Sequence, residues 1–148
     1  MTLYREKLWA SAWLYLAMAL VMPASLLVFL PINVAVGIVV AVVLYGGCVA
    51  ILVLASPTIV VTDDALVAGR ASLPLRFVGT ATPFREPEAT LERGRNLDAR
   101  AWLLIRGWVG PVVKVENTDP DDPTPYWLVS SRKPEELASA LSRRASQV

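Results

Sequence analysis

The sequence predicts two membrane-spanning helices followed by a small α+β domain of seven short strands and one carboxyl-terminal helix. None of the 14 basic and 13 acidic residues of this 148-residue chain lies between Leu8 and Thr62. After Pro57, short runs of Val, Ile, Leu and Trp are separated by Gly, Pro and Asp, which is typical of strands joined by turns. The segment that begins at Pro134 has the apolar spacing of a helix.

The uncharged stretch predicts a helical hairpin in a membrane. Placing Asp, Lys or Arg at the centre of a bilayer costs about 2.5 to 3.5 kcal/mol, which accounts for their absence. A helix needs about 20 residues to cross the hydrocarbon core, so the stretch suits two passes. Pro31 and Asn33 favour a turn, which gives spans at about 8–30 and 34–55. We therefore divide the chain into an amino-terminal segment 1–7, a transmembrane hairpin 8–56 and a domain 57–148.

Charge predicts the orientation of the hairpin. Arg5 and Lys7 precede the first span, a dozen basic residues follow the second, and the turn between the spans has no charge. The positive-inside rule then places both termini in the cytoplasm of a multi-pass plasma-membrane protein. A cleaved signal peptide is the alternative, because Ala17-Met18-Ala19 resembles a cleavage site. Its apolar region would be too long, and a second span follows it.

Small residues in the second span predict close helix packing. Gly37 with Ala41, and Gly46 with Ala50, form two small-xxx-small pairs that lie on nearly opposite faces of the helix. One pair would pack on the first span and the other on a second copy or a membrane-protein partner. The alternative is that Gly and Ala are simply common in membrane helices. Pro23 predicts a kink in the first span.

Composition excludes several kinds of chemistry. The chain has no histidine and a single cysteine, Cys48, which excludes intrachain disulfides, Cys/His zinc sites and histidine general bases. Asp119, Asp121 and Asp122 resemble part of a calcium loop, but Pro123 and Ser130 occupy ligand positions, so we interpret the run as a rigid surface turn. Residues 57–148 hold 12 basic and 12 acidic residues, which argues against a nucleic-acid partner. No cofactor, metal site or catalytic group is predicted.

The sequence after the hairpin predicts seven strands in the order found in a PH-like (pleckstrin-homology-like) domain. Asp63-Asp64 should close the first strand pair, and the run 101–105, apolar throughout, should be central or covered. Seven strands and a final helix are the order of elements in a PH-like barrel, in which the helix closes an open corner. The strands are expected near Thr58–Thr62, Ala65–Gly69, Ser72–Arg76, Val78–Phe84, Arg100–Ile105, Pro111–Glu116 and Tyr126–Ser130.

Longer motifs add a resemblance to a known family. The stretches LDARAWLLIRGWV and VKVENTDPDDPTPYWLVSSRKPEELASAL resemble actinobacterial membrane proteins grouped as domain of unknown function 3093, over nearly the whole chain. The stretches IVVTDDALVAGRASLPL and SSRKPEELASAL resemble bacterial PH-like domains that follow short membrane hairpins. The resemblance implies an actinobacterial plasma-membrane protein with a PH-like domain. It implies no activity and no catalytic residues.

A local excess of basic residues predicts a contact surface. Residues 70–106 hold seven basic and four acidic residues, so this region could contact anionic lipid headgroups or a protein partner. A solvated face with partial pairing, such as Asp98 with Arg100, is the alternative. Trp127 is expected in the core, and Trp108, between Gly107 and Gly110, is expected to be exposed. The predicted surface comprises Arg93, Arg95, Arg100, Arg106 and Trp108.

These features predict a non-enzymatic membrane protein that presents a cytosolic PH-like interaction module at the inner membrane face. Its expected partners are membrane lipid and either a membrane protein or a second copy of the chain. Two alternatives stay open: a sensor of a lipid or small molecule at the junction of barrel and hairpin, and an accessory subunit of a transporter or synthase. Ser130 and Ser131 are poor candidates for nucleophiles, because only Lys133 is near in sequence to activate them.

Overall fold

The computed structural model describes residues 2–145, and the backbone alone for residues 144 and 145. The chain forms two compact units: residues 9–56, here called the helix pair, and residues 2–8 with 57–145, here called the α+β unit. The predicted succession of two apolar helices, β-sheets and a carboxyl-terminal helix is confirmed. The predicted number of seven strands is wrong, because the described residues form eight strands in two sheets.

The first arm of the helix pair is interrupted once. Helices α1 (Ala12–Ala19) and α2 (Val21–Phe29) meet at Leu20. Pro23 explains the break, because its nitrogen has no hydrogen to donate and its ring crowds the carbonyl four residues earlier, that of Ala19. The kink predicted from Pro23 therefore lies one turn before the proline.

The second arm begins at the turn predicted from Asn33. Helix α3 spans Val34–Leu54, and the side chain of Asn33 accepts hydrogen bonds from the backbone nitrogens of Ala35 and Val36 at 2.9 and 3.3 Å. Both α1 and α2 pack on α3. The segments Ala12–Phe29 and Val34–Leu54, with mean hydropathies of 2.0 and 2.8, are long and apolar enough to cross a membrane.

The first sheet of the α+β unit is an antiparallel meander with the order β1-β2-β3-β4. Asp63 and Asp64 form the β2–β3 turn, as predicted. The β3–β4 turn uses Gly69 with a φ of +63°, a conformation that glycine adopts without steric cost. A 3₁₀ turn, Leu75–Phe77, leads out of the sheet. The strands are β1 (Thr2–Lys7), β2 (Thr58–Thr62), β3 (Ala65–Ala68) and β4 (Ala71–Pro74).

The second sheet has the order β5-β7-β8-β6. Strands β5 (Val78–Phe84), β7 (Val112–Asn117) and β8 (Tyr126–Ser130) are antiparallel, whereas β6 (Trp102–Leu104) pairs with β8 in parallel. The run 101–105, expected to be central or covered, thus contributes a short edge strand. Four of its five apolar residues reach the two cores described next, and Leu103 is exposed. Helix α4 (Glu88–Arg93) was not predicted; α5 (Pro134–Ala145) agrees with the prediction.

The α+β unit has a core on each face of its second sheet. Alternation along β8 directs Trp127 and Val129 toward the main core, which the first sheet and α5 complete, and Tyr126 and Leu128 toward a smaller core beneath α4. All five residues of β8 are therefore buried. The prediction that Trp127 is a core residue is confirmed. The centroids of its ring and of the Trp102 ring are 4.1 Å apart.

Candidate functional site

The helix pair is inserted between two neighbouring strands of one sheet. Strand β1 pairs antiparallel with β2, with Lys7 opposite Thr58. The backbone nitrogen of Leu8 donates to the carbonyl oxygen of Pro57 at 2.9 Å. Residues 9–56 therefore begin and end at adjacent points of the first sheet.

The carboxylate of Glu6 attaches β1 to the start of α5. One oxygen accepts hydrogen bonds from the hydroxyls of Tyr4 and Ser131, at 2.7 and 2.6 Å. The other accepts from the backbone nitrogen of Arg132 at 2.8 Å. Burial is the main cause that raises the pKa of Tyr4 well above its ordinary value, so its hydroxyl stays protonated as a donor at physiological pH.

This cluster was not predicted, since residues 1–7 were expected to form a segment outside the folded domain. The signal that could have revealed β1 is its alternation: Tyr4, Glu6 and Leu8 are more buried than their neighbours, as on one face of a strand. Glu6 hides this pattern in the sequence, because a charged side chain is expected to be solvent-exposed. Only the three hydrogen bonds that it accepts explain why it is partly buried.

Trp108 is half-buried rather than the exposed anchor expected from its glycine-flanked loop. Its indole nitrogen donates to the carbonyl oxygen of Leu8 at 3.1 Å, and its ring packs against the main core. An indole N–H needs an acceptor when it is buried, and the carbonyl of Leu8 lies just beyond the last residue of β1. Trp108 therefore fixes the point at which the chain leaves the α+β unit.

Two of the four arginines in the predicted contact surface are bound to carboxylates. Arg93 forms an ion pair with Glu86. Arg100 pairs with Asp98 at 3.0 Å, as the alternative interpretation expected, and its hydrogen bonds lower the pKa of Asp98. Arg95 is exposed.

The structure does not bring these arginines together. The backbone nitrogen of Arg106 donates to the hydroxyl of Ser130, at one end of β8. The backbone of Asp98, two residues before Arg100, is bonded to the hydroxyl of Tyr126, at the other end of β8. Four residue steps along a strand span about 13 Å. Arg100 and Arg106 thus belong to opposite ends of the unit.

A half-buried ion pair on the outer face of the second sheet was also missed. The ammonium nitrogen of Lys114 lies 2.9 Å from the carboxylate of Glu92 and 4.4 Å from the ring centroid of Tyr126. Burial acts to raise the pKa of Glu92, but hydrogen bonds from Asn96 and Lys114 outweigh it, so the pKa is lowered. Val113 and Val115 alternate with Lys114 and Glu116, as on a strand with one solvated face, but α4 covers that face in part.

The α+β unit has open depressions on its surface. One, of about 330 Å³, is next to Lys114, and another, of about 310 Å³, lies between β1 and α5. Neither is enclosed. The first is lined by Thr80, Thr82, Lys114, Glu116, Pro125 and Tyr126, and the second by Leu3, Tyr4, Glu135, Glu136, Ser139, Ala140 and Arg143.

The two pairs of small residues in α3 have different surroundings. Gly37 and Ala41 are buried, and a methyl group at Gly37 would lie 3.0 Å from the Cβ of Phe29 in α2. Gly46 has no atom within 4 Å of such a methyl position, and Ala50 is exposed. The first pair thus permits close packing of α2 on α3, and the second faces outward.

The side chains considered for catalysis or metal binding take part in hydrogen bonds or ion pairs within the fold. Ser130 and Ser131 are fully buried, and the ammonium nitrogen of Lys133 binds Glu136 at 3.1 Å. In the turn at 119–122, a carboxylate oxygen of Asp119 accepts from the backbone nitrogen of Asp121, as in the rigid surface turn expected there. Within residues 2–145, no group of three or more His, Cys, Asp or Glu side chains is arranged to hold a metal ion.

These features define a class of protein: a two-sheet α+β unit with two apolar helices, each long enough to cross a membrane, inserted between its first two strands. Residues 3–141 match the family described as Protein of unknown function (DUF3093), and the chain belongs to that family. The match begins within β1 and ends within α5, so it includes both units. No curated protein and no solved structure matches the chain.

Proposed function

We propose that this protein is an integral membrane protein that presents the α+β unit at the inner face of the plasma membrane as a non-enzymatic interaction module. Its partner is a protein or the anionic lipid surface. The observation that carries the proposal is the pairing of β1 with β2, closed by the hydrogen bond between Leu8 and Pro57.

This pairing favours two crossings over one. A segment that leaves and re-enters a folded unit at adjacent points crosses a membrane an even number of times. The helix pair supplies two segments of sufficient length. Its large apolar side chains point outward: Leu27 is 72% exposed and Ile51 67% exposed. Such a surface is favourable in lipid and unfavourable in water.

Charge supports the inner face as the location of the α+β unit. Every charged residue of the chain lies in the α+β unit, and none lies in the helix pair or its turn. The positive-inside rule weighs Lys and Arg close to the spans. Arg5 and Lys7 precede the helix pair, and no basic residue is near Ile32 in its turn. Both termini are then cytoplasmic.

The strand order supports a PH-like fold for the α+β unit. A four-stranded antiparallel meander is followed by three antiparallel strands, β5, β7 and β8, and then by α5, which packs on β5. These are the elements of a PH-like barrel in order. The additional strand β6, three residues long, belongs to the connection between β5 and β7. The helix pair occupies the β1–β2 connection.

The filled interior favours an interaction module over a sensor or an enzyme. Leu66, Leu137 and Leu141 are fully buried in the main core with Trp127, so side chains occupy the space that a barrel-bound ligand would need. The serine hydroxyls near α5 are buried and used in hydrogen bonds. Recognition would then use the outer surface.

A labelling experiment tests the orientation. In a Cys48→Ser background, single cysteines are placed at Asp119 in the α+β unit and at Ile32 in the helix-pair turn, and intact cells are treated with a membrane-impermeant maleimide. We expect labelling at position 32 in intact cells, and at position 119 only after the membrane is permeabilised. Labelling at 119 in intact cells would refute the orientation, and release of the protein by alkaline carbonate would refute membrane insertion.

A second candidate function is that of a subunit in a membrane complex. It is favoured by the outward pair, Gly46 and Ala50, which leaves room for another helix. The variant Gly46→Leu/Ala50→Leu should then reduce copurification of a partner or a second copy. The matched control is Val39→Leu/Val43→Leu, which enlarges two exposed residues with the same spacing. Equal copurification of both variants would argue against this role.

A further inference from the structure

The α+β unit is formally neutral over residues 57–148, but its charges are segregated along the strands. Three basic residues surround the end at which the chain leaves for the helix pair and returns from it. They come from three separate segments of the chain. We call Lys7, Arg70 and Arg106 the basic rim.

Hydrogen bonds and short contacts place each member of the basic rim. Lys7 is the last residue of β1, beside Leu8 and opposite Thr58. Arg70 is exposed in the β3–β4 turn, where the backbone nitrogen of Gly69 donates to the carbonyl oxygen of Thr58 at 2.9 Å.

Arg106 belongs to the loop that binds Leu8. The indole of Trp108 in this loop donates to the carbonyl oxygen of Leu8, and Leu104, just before the loop, lies 3.5 Å from the Cβ position of Gly69. One guanidinium nitrogen of Arg106 donates to the carbonyl oxygen of Ile105. An arginine keeps its positive charge whatever acceptor it binds, so Arg106 contributes to the field at this end.

Most carboxylates toward the same end are engaged within the unit. Glu6 accepts three hydrogen bonds from inside the unit. Three others form ion pairs: Glu86 with Arg93, Glu135 with Arg85, and Glu136 with Lys133. Glu88, at the start of α4, is exposed.

The opposite end of the strands carries two acidic turns, with Arg76 between them and Arg95 and Arg100 toward the same end. Asp64 lies in the β2–β3 turn, where its carbonyl oxygen accepts from the backbone nitrogen of Leu75. Thr118, which begins the β7–β8 turn, donates from its backbone nitrogen to the carbonyl oxygen of Phe77. Since Leu75 and Phe77 belong to one 3₁₀ turn, the two acidic turns are neighbours. Together they hold Asp63, Asp64, Asp119, Asp121 and Asp122.

We infer that the basic rim contacts the headgroups of anionic phospholipids. A negatively charged surface attracts the basic rim and repels the acidic turns, so the segregated charges favour one orientation of the unit. Each Lys or Arg near such a surface strengthens its association about fivefold. The inference rests on the proposed membrane location and names the lipid class that the α+β unit recognises.

The basic rim differs from the surface predicted from sequence. Arg93 and Arg100 are paired with carboxylates, and the region of Arg95 and Arg100 lies toward the Tyr126 end of β8, far from the rim. Only Arg106 belongs to both sets. The two sets therefore make different predictions for mutations.

Lipid selectivity of the full-length protein tests the inference. The protein is reconstituted in phosphatidylcholine vesicles with spin-labelled phosphatidylglycerol or spin-labelled phosphatidylcholine, and electron paramagnetic resonance measures the lipid held at the protein surface. We expect the protein to prefer phosphatidylglycerol several-fold, with a preference that falls as salt is raised because exposed charges are screened. The rim variant Lys7→Gln/Arg70→Gln/Arg106→Gln should lose most of this preference.

The matched control removes three positive charges elsewhere. Arg76→Gln/Arg95→Gln/Arg143→Gln should keep the preference of the unaltered protein. Equal preference in the rim variant and the unaltered protein would overturn the inference, as would equal loss in both variants. If the rim variant does not fold, Arg70→Gln alone, on an exposed turn, should lower the preference in part; an unchanged preference in that variant would overturn the inference.

The result separates the inference from the proposal on which it rests. Protein-bound lipid that shows no preference for phosphatidylglycerol would refute the basic rim and leave membrane insertion intact. If the unaltered protein holds no lipid of either kind at its surface, the proposed membrane location fails as well.

Discussion

The helix pair and the α+β unit place their apolar side chains in opposite ways. In the α+β unit, Leu128 and Leu137 are fully buried, whereas in the helix pair Leu27 and Ile51 are mostly exposed. The helix pair contains no charged residue, and the α+β unit contains all of them. The contrast is what the proposed membrane location requires, with the helix pair in lipid and the α+β unit in water. Both ends of the helix pair join one sheet of the α+β unit.

Removing a large side chain should affect the two units unequally. Leu128→Ala creates a cavity in the α+β unit and should lower its free energy of unfolding by about 2 to 5 kcal/mol. Leu27→Ala in the helix pair, whose side chain has few neighbours, should leave that free energy unchanged. Urea unfolding in detergent, followed by tryptophan fluorescence, measures both. Similar destabilisation by the two variants would contradict the contrast.

The carboxylate of Glu6 should matter more than its position near the terminus suggests. Glu6→Ala removes the shared acceptor of Tyr4, Ser131 and Arg132, and should lower the free energy of unfolding by about 1 to 3 kcal/mol. Hydrogen exchange should become faster in residues 2–7 and at the start of α5. The control is Arg5→Ala, on the exposed face of the same strand. If both variants exchange alike, β1 is not attached through Glu6.

The indole of Trp108 should contribute a single hydrogen bond to the α+β unit. Trp108→Phe keeps a ring in the core but removes the donor to Leu8, so the expected loss is about 0.5 to 1.5 kcal/mol. Trp13→Phe, which alters an indole that is 72% exposed in the helix pair, should cost nothing in the same assay. A Trp108→Phe variant of unchanged stability would favour the membrane-anchor role predicted from sequence.

Acid should weaken the α+β unit through Glu92. The pKa of Glu92 is lowered from its ordinary value of 4.5 in the folded protein. Its contribution to the free energy of unfolding is therefore fully present above pH 4.5 and is lost as the pH falls further. Glu92→Gln should flatten this loss below pH 4.5. Urea unfolding at a series of pH values measures it. The helix pair has no carboxylate side chain to titrate, and a pH dependence unchanged by Glu92→Gln would contradict this assignment.

Local patterns explain which parts of the fold could be predicted. The absence of charge located both apolar helices. The bounds of β2 and β8 were predicted to the residue, because each is a run of consecutive strand-forming residues between turn signals. The bounds of β5 were predicted as well, although it contains Gly79 and Pro83. The ion pair of Arg100 with Asp98 was expected only under the alternative to a contact surface, and it was visible in the sequence because its partners lie two residues apart. The break at Leu20 lies one turn before Pro23, as the missing donor of proline requires.

Long-range contacts explain what could not be predicted. Strand β1 pairs across the whole helix pair, and Glu6 meets Ser131 from 125 positions away, so no local window contains both partners. Helix α4 has only six residues, too short for a clear period. The basic rim is assembled from three separate segments, whereas the surface predicted from sequence grouped arginines by proximity along the chain.

The most direct test of the central claim is a crosslink between β1 and β2. In a Cys48→Ser background, cysteines replace Arg5 and Val60, which are paired across the two strands. Adjacent strands are about 5 Å apart, within reach of a disulfide. We predict that mild oxidation links residues 5 and 60. Cysteines at Arg5 and Val67, which lies one strand further away, should not link. Linkage of the 5–67 pair in place of the 5–60 pair, or of neither, would contradict the shared sheet on which the account depends.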